Sequence, residues 1–344
     1  MMRFMSTREK VLDCLRRKEG SYISGGELSR RLGVSRSAIW KAVENLRDDG
    51  YAIEARTNNG YRFGTGDGRI SLCRLKDFLP SSDIEVWEEV DSTNRVAKQR
   101  AVDGCPDGTL VVARRQSSGR GRLGRSFSSP HGGIYLSLVL RPHGDIENAL
   151  LVTSAAAVAT AMAIEETTSF RCGIKWVNDL YWQGKKVVGI LAEGVMDMEN
   201  GSLSAVVVGI GINFCTQQQD FPPEFRSVAG SLYAGPSQVP DGIDQNDLVA
   251  SLVRHLMDFS HDLAGREFLD AYRSRSIVVG KEISVFRGGK ETANGMVVGV
   301  DDNARLLVRK GDGSLLVLGT GEISIRLAHG PVNQYHLQEG AKHA

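Results

Sequence analysis

The chain has 344 residues, 41% hydrophobic and 24% charged, with 42 Lys and Arg against 41 Asp and Glu and a net charge of +1. That length supports two or three domains, each able to bury a core, and the composition excludes a disordered chain, a collagen and a disulfide mini-scaffold. Glycine is the one excess, 39 residues or about 11% against about 7% in ordinary proteins. No run of 18 apolar residues occurs, and the stretch nearest to one, Ala149 to Ile164, is rich in alanine and holds Thr153, Ser154 and Thr160. It suits a buried helix better than a membrane span. The first residues lack the apolar core of a signal peptide, so a cytoplasmic protein without membrane contact is expected. Cys14, Cys73, Cys105, Cys172 and Cys215 lie singly, with no Cys-x-x-Cys and no pairing with histidines, which predicts neither disulfides nor a bound metal.

The net charge hides a segregation. Residues 1–66 carry 13 Lys and Arg against 8 Asp and Glu, a net of +5, and the remainder sums to −4. Asymmetry of this kind is a hint of nucleic-acid contact by the basic part. Within it, Ser6-x-x-Glu9 and Ser24-x-x-Glu27 have capping-box spacing and open two helices with Val11, Leu12, Leu15 and Leu28, Leu32 inward. Gly33-Val34-Ser35 supplies a turn and a new N-cap for a third helix, Arg36 to Asp49, with Ile39, Val43 and Leu46 on one stripe. The pair forms a helix-turn-helix, whose outer face carries Ser35, Arg36, Ser37, Trp40, Lys41 and Arg47, residues suited to phosphates and base edges. Two strand-like runs follow, Tyr51 to Arg56 and Gly60 to Phe63, around an Asn59-Gly60 hairpin signal, and Asn59 and Arg62 sit on the resulting wing. Such a fold also serves as a protein adaptor; the local charge favours DNA.

Gly64 to Gly68 reads as a linker. Strand-like runs then alternate with helical ones: strands at Gly108 to Arg114, Gly133 to Leu140, Ile174 to Trp176, Lys186 to Glu193 and Leu203 to Ile212, helices at Ala149 to Thr167 and Asp247 to Leu263. This is a mixed α/β domain. Beyond Val278 only short strands appear, at Glu282 to Phe286, Gly295 to Val300, Leu306 to Arg309, Leu315 to Leu318 and Glu322 to Ile325, as in a small SH3-like barrel. The whole reads as an α+β multidomain protein divided at 1–66, 67–276 and 277–328, with residues 329–344 a loose tail.

The run Gly119-Arg120-Gly121-Arg122-Leu123-Gly124-Arg125 satisfies G-x-G-x-x-G, yet no helix follows it, so it is not a dinucleotide fingerprint, and no Gly-Lys-Ser/Thr makes it a Walker loop. Three arginines among three glycines between strands suit a flexible cationic flap over phosphate. By residue type alone a basic surface loop fits as well.

Ser92-Thr93-Asn94, Gln116, residues 119–125, Lys175-Trp176-Val177-Asn178-Asp179-Leu180-Tyr181, Lys186 to Glu193 and Gly209-Ile-Gly-Ile-Asn213 occur in the order and approximate spacing of biotin protein ligases. With a winged helix ahead of them, the chain resembles the bifunctional type, biotin protein ligase and biotin operon repressor in one polypeptide. The resemblance implies a class II synthetase-like ligase domain shared with lipoate ligases, ATP with Mg2+ and biotin as substrates, and biotinyl-5′-adenylate as intermediate. A biotin carboxyl carrier protein is the implied acceptor, operator DNA the second partner, and a homodimer the adenylate-bound state. By the same likeness Ser92, Thr93, Asn94, Gln116, Arg120, Gly121, Arg122 and Lys186 would hold biotin. Arg120, Arg122, Phe127, Lys175, Asn178, Asn213 and Arg326 would hold the nucleotide, with Glu322 beside them, and Gly209 and Gly211 would let backbone approach the pocket. Lys186, Arg122 and Asp179 would serve the chemistry; Mg2+ would ride on phosphates, with no protein metal site. The sequence departs from the commoner family pattern at Val177, where proline is usual, and at Leu123, where some relatives have arginine; the first is expected to loosen a local turn. A lipoate-type ligase and a biotin-sensing DNA-binding regulator without ligase activity are the competing readings, and the flap, the winged helix and intact Lys186, Asp179 and Asn213 weigh against them.

Overall fold

The computed structural model describes residues 6–16, 21–48, 51, 53–57, 59–63, 69–141, 151–197, 201–319 and 323–327. The expected linker at 64–68, Glu322 and the tail at 329–344 lie outside them. The described residues fall into two compact units, one reaching to Ser81 and including Pro240–Asp247, the other holding Ser82–Val239 and the residues from Leu248 onward.

In the first unit, helices α1 (Thr7–Arg16), α2 (Gly25–Leu32) and α3 (Arg36–Asp48) precede a hairpin of β1 (Ile53–Arg56) and β2 (Gly60–Phe63). Two of the three predicted caps are made by the serine side chains: Ser24 Oγ accepts from the Glu27 amide at 3.0 Å and Ser35 Oγ from the Ala38 amide at 3.2 Å. Val11, Leu15, Leu28, Ile39, Val43 and Leu46 are fully buried together, while Leu12 and Leu32 pack at their edge. Ile23, between α1 and α2, exchanges backbone hydrogen bonds of 2.7 and 2.8 Å with Tyr61 and so docks the wing onto the helices. That contact runs past Gly60, whose φ is +98° and where any Cβ would collide with the Ile23 carbonyl. A further helix, α4 (Leu72–Phe78), is tied down by Asn246, which accepts from the Ser71 amide and donates to the Arg69 carbonyl, each at 2.8 Å.

The second unit is built on a seven-stranded sheet. Its strands are β3 (Ile84–Trp87), β4 (Leu110–Ala113), β5 (Ile134–Leu140), β6 (Gly173–Lys175), β7 (Asp179–Trp182), β8 (Lys185–Met196) and β9 (Leu203–Ile212), in the order β3-β4-β5-β9-β8-β7-β6. Only β3 and β4 run parallel. β5 is buried along its whole length, so both faces of the sheet are covered there. Helix α5 (Thr93–Val102) lays Ala97 and Ala101 on Val111, Val139 and Val207. Helices α6 (Val152–Thr168), α7 (Gln245–His261) and α8 (Phe268–Arg275) complete the α/β part. Strands β10 (Glu282–Arg287), β11 (Lys290–Val300), β12 (Leu306–Arg309), β13 (Leu315–Leu318) and β14 (Ile323–Leu327) form a second, antiparallel sheet in the order β13-β12-β11-β10-β14. All the strands predicted from the sequence exist within a few residues of their expected ends. The sequence reading has no counterpart for α4, β3, β7 or α8, which are short and carry little periodicity of their own.

All five cysteines are free, with Cys14, Cys172 and Cys215 buried. Among the described residues no helix is long and apolar enough to cross a membrane, and no three potential metal ligands gather.

Gly60→Ala should lower the stability of the full chain's N-terminal unit by more than ~1 kcal/mol, because both backbone strain and a collision are introduced. The check is an earlier first thermal transition in calorimetry with the later one unmoved.

Candidate active site

The site lies on the face of the large sheet that α5 covers, and pairing register explains its floor. Three cross-strand rows run over β5, β9 and β8: Tyr135, Gly211 and Gly189; Ser137, Gly209 and Leu191; Val139, Val207 and Glu193. On the first row the missing side chains leave room for the Phe127 ring, which a Cβ at Gly189 or Gly211 would strike. The second gives space to the Asn94 amide, which a Cβ at Gly209 would strike. Above these rows opens a cavity of about 370 Å³.

One wall is a chain of polar groups from the start of α5. Gln116 Oε1 accepts from the Thr93 amide at 2.8 Å and from its hydroxyl at 3.0 Å, and Gln116 Nε2 donates to Ser129 Oγ at 2.9 Å. Ser137 Oγ stands 2.8 Å from Thr93 Oγ1 and 2.6 Å from Asn94 Oδ1. Asn94 Nδ2 donates to Glu193 at 2.8 Å, and the same carboxylate receives Lys98 Nζ at 2.6 Å. Burial pushes the Glu193 carboxyl up, but the bonds from Lys98 and Asn94 outweigh it and leave it below the usual range.

The opposite wall is cationic. Residues 119–127 fold back on themselves, Gly121 to Arg125 and Phe127 to Gly119, with backbone bonds of 2.7 and 2.8 Å, so the expected flap is a closed turn in this state. From it Arg122 reaches Asn178 Oδ1 at 3.1 Å, and Asn178 is itself held to β8 through the Ile190 carbonyl at 2.8 Å and the Ile190 amide at 3.0 Å. Lys186 Nζ lies 2.6 Å from Asp179 Oδ1, an ion pair whose angle misses hydrogen-bond geometry, so that this oxygen has no hydrogen-bond partner. The same ammonium is 5.9 Å from the Phe127 ring centre. Arg120, Arg122, Arg125, Lys175 and Lys186 line the cavity against one carboxylate, Asp179. Burial pushes both Arg122 and Lys175 down from their ordinary values; Asp179 opposes this in each, while Lys186, Arg326 and Arg125 add to it at Lys175. A partly buried excess of positive charge of this kind is relieved by an anionic ligand.

The turn that carries these groups is anchored from two sides. Trp176 Nε1 donates to the Ala304 carbonyl at 3.0 Å, and the buried Tyr272 hydroxyl donates to the Val177 carbonyl at 3.2 Å. Val177 is itself buried, so the absence of proline leaves this turn fixed rather than loose.

Residues 86–213 match the Biotin/lipoate A/B protein ligase family, residues 7–62 an HTH domain and residues 278–326 the Biotin protein ligase C terminal domain. The chain is 34% identical over 313 residues to the Bacillus subtilis bifunctional ligase/repressor BirA, an alignment covering 89% of this chain and 95% of that protein. It belongs to the bifunctional ligase/repressor family. The Escherichia coli BirA is 29% identical over 90% of this chain and 94% of its own. Among solved structures, the biotin protein ligase from Aquifex aeolicus in complex with biotin and ATP superimposes with a TM-score of 0.58 at 28% identity, covering 72% of this chain and 99% of that one.

Of the positions that the family likeness marked, Ser92, Thr93, Asn94, Gln116, Arg120, Gly121, Arg122, Phe127, Lys175, Asn178, Asp179, Lys186 and Asn213 all line the one cavity. Asn213 is buried, donates to the Gly230 carbonyl at 2.9 Å and keeps its Oδ1 without a partner. Arg326 is not in the lining; its guanidinium lies over Phe286, 4.5 Å from the ring centre, and Ile325 beside it lines the cavity instead. Gly209 and Gly211 were expected to let backbone approach a ligand, whereas their space is taken by Asn94 and Phe127. Sequence reasoning assigned no role to Ser137, Ser129, Gly189 or the apolar Phe221, Phe225 and Val228; of these only Gly189 carries a signal, as a member of the motif Lys186 to Glu193.

In the repressor half of this ligase/repressor, Ser35, Arg36, Ser37, Lys41 and Asn59 are exposed, and Trp40 is 58% exposed. Arg62 is engaged with Glu54 at 2.5 Å and lies 5.0 Å from the Tyr22 ring centre. Arg47 turns away from the outer face, donating to the Ile53 carbonyl and to Glu44, each at 2.8 Å.

Gly209→Ala should displace Asn94 and cost about 1–3 kcal/mol in the second unit, whereas Gly299→Ala, with open space around it, should stay within about 0.5 kcal/mol of wild type. Denaturant midpoints of the two variants check this.

Proposed function

We propose that the chain joins biotin to ATP as biotinyl-5′-adenylate, transfers the biotinyl group to a lysine of a biotin carboxyl carrier protein, and represses biotin-synthesis genes by binding operator DNA. The observation that carries the first part is the single cavity in which a polar wall faces five cations over a glycine floor. In the first step a biotin carboxylate oxygen attacks the α-phosphorus of ATP, and the bond from that phosphorus to the β-phosphate's bridging oxygen breaks, releasing pyrophosphate. Negative charge spreads over the non-bridging oxygens, where Arg120, Arg122 and Lys186 stabilise it. In leaving Asp179 for the phosphate, Lys186 frees that carboxylate to orient or deprotonate the acceptor amine in the second step, in which the amine attacks the acyl carbon and AMP departs. The turn 119–127 excludes water from the mixed anhydride. Ser92, Thr93, Asn94 and Gln116 hold the head of biotin; Phe127, Lys175, Asn178 and Asn213 serve the nucleotide.

Mg2+ accompanies ATP. Asp179 is the one carboxylate in the lining and is already paired, a donor set that suits an ion carried on the substrate's phosphates. Residues 1–66 act as the DNA-binding domain, 67–276 as the ligase core and 277–328 as the C-terminal domain of a cytoplasmic protein. The adenylate-bound form binds an inverted repeat as a homodimer, since paired helix-turn-helices read paired half-sites.

Pyrophosphate release from ATP should require biotin and not respond to lipoate, and Arg122→Ala should slow adenylate formation by about 10²–10³-fold with the fold retained. ATP turnover independent of biotin would overturn the ligase reading.

For the repressor half, affinity for a biotin-gene operator should fall steeply with salt as counterions are released, and Arg36→Ala with Lys41→Ala should flatten that slope. Titration by fluorescence anisotropy at several salt concentrations measures both; a salt-independent affinity would remove the helix α3 face from the operator contact.

A further inference from the structure

The Lys98–Glu193 pair has no place in the chemistry above, yet it closes the polar wall from behind. Glu193 stands in the third cross-strand row, on the sheet face beneath α5, and Asn94 and Lys98 lie one turn apart on that helix. Both bond to the same carboxylate, through Oε2 at 2.8 Å and Oε1 at 2.6 Å.

We propose that Glu193, held by Lys98, is a positioning residue that fixes which way round the Asn94 amide faces the cavity, and through it the preference for a urea N–H. The inference rests on the biotin reading.

Donors and acceptors around Asn94 set its orientation. An ionised carboxylate only accepts, so Asn94 must turn its Nδ2 toward Glu193. The remaining N–H of that amide points to the Leu191 carbonyl at 3.4 Å, which leaves Asn94 no hydrogen for a ligand. Its Oδ1 is then on the side of Ser137, whose one hydroxyl hydrogen is shared between this oxygen at 2.6 Å and Thr93 Oγ1 at 2.8 Å, so that Ser137 takes up at most one lone pair of the Asn94 carbonyl. A carbonyl oxygen has two lone pairs, and the second is offered to the cavity that Asn94 lines. Across the pocket the logic is opposite. Gln116 has its Oε1 occupied by the Thr93 amide and hydroxyl, so it presents N–H outward, one to Ser129 and one to the cavity. The Ser92 hydroxyl caps nothing at the start of α5. The pocket thus shows an acceptor at Asn94 and donors at Gln116 and Ser92, the complement of a urea, which carries N–H on its flanks and C=O at its tip. A dithiolane has neither. Without the charge at position 193 the amide is free to turn over, because an uncharged amide there serves either Asn94 atom.

The test compares biotin with the two cyclic carbamate analogues in which one or other urea N–H is replaced by oxygen, using pyrophosphate release by the full chain. Wild type should discriminate against one of the two carbamates by about tenfold, the worth of one lost hydrogen bond with its acceptor left buried. Glu193→Gln should raise KM for biotin and shrink that discrimination toward unity, with KM for ATP unchanged. A merely structural role would weaken biotin and both carbamates alike. Lys98→Met, at a partly exposed position, should shift the ratio in the same direction and serves where Glu193→Gln does not fold. Wild-type discrimination retained in both variants, or no discrimination in wild type, overturns the inference while the biotin reading stands. Biotin-independent release by wild type overturns the reading and the inference with it.

Discussion

The depth of the cavity is set by backbone meeting side chain across a strand pair. Gly189 and Gly211 oppose one another on β8 and β9, and Gly209 stands one row further along the same face. An aromatic ring from the turn at 119–127 rests on the first two, and an amide from α5 rests on the third. Because α5 packs on this same face through Ala97 and Ala101, the height at which the helix sits and the width of the cavity are coupled. A methyl group at any of the three glycines would lift Phe127 or Asn94, and with Asn94 the end of the helix from which Ser92 and Thr93 project. Close packing of this kind converts small changes of volume into displacement of polar groups.

Electrostatics then divides the cavity into two halves. Against the polar wall every charge is answered: Glu193 by Lys98 and, nearby on the outer surface, Glu85 by Arg100 at 2.5 Å. On the facing wall five cations meet one carboxylate, and burial acts on Arg122 and Lys175 in the direction that favours their neutral forms. Such an arrangement is costly while empty and is relieved by an anion, which in the proposed reaction directs binding free energy to the reacting phosphorus rather than spreading it over the ligand.

The architecture was largely legible in the sequence because its signals are local. Ser24 and Ser35 cap their helices, Asn59-Gly60 turns the wing, and the long strands read as apolar runs. The short elements α4, β3, β7 and α8 were not legible, since their stability comes from tertiary anchors such as Asn246 beneath Ser71. In the site the family motifs brought most of the polar lining residues forward, yet they could not say what the glycines were for. Gly209 and Gly211 read as openings for a ligand; register shows them as seats for Asn94 and Phe127. Arg326 and Arg62 illustrate a second limit: their charge is visible in the sequence, but the ring of Phe286 and the carboxylate of Glu54 that engage them are not.

The anchoring of the turn at Trp176 to Asp179 bears on how separable the parts of this protein are. Trp176 donates to the Ala304 carbonyl in the bend between β11 and β12, where Arg273 from α8 also reaches the Val300 carbonyl at 3.0 Å. The second sheet therefore supplies part of the frame that holds Asn178 and Asp179 at the cavity. Recombination that exchanged this terminal sheet between relatives would have to carry the bend at 301–305 and the tryptophan it receives as one inherited block, even though more than a hundred residues of chain lie between them.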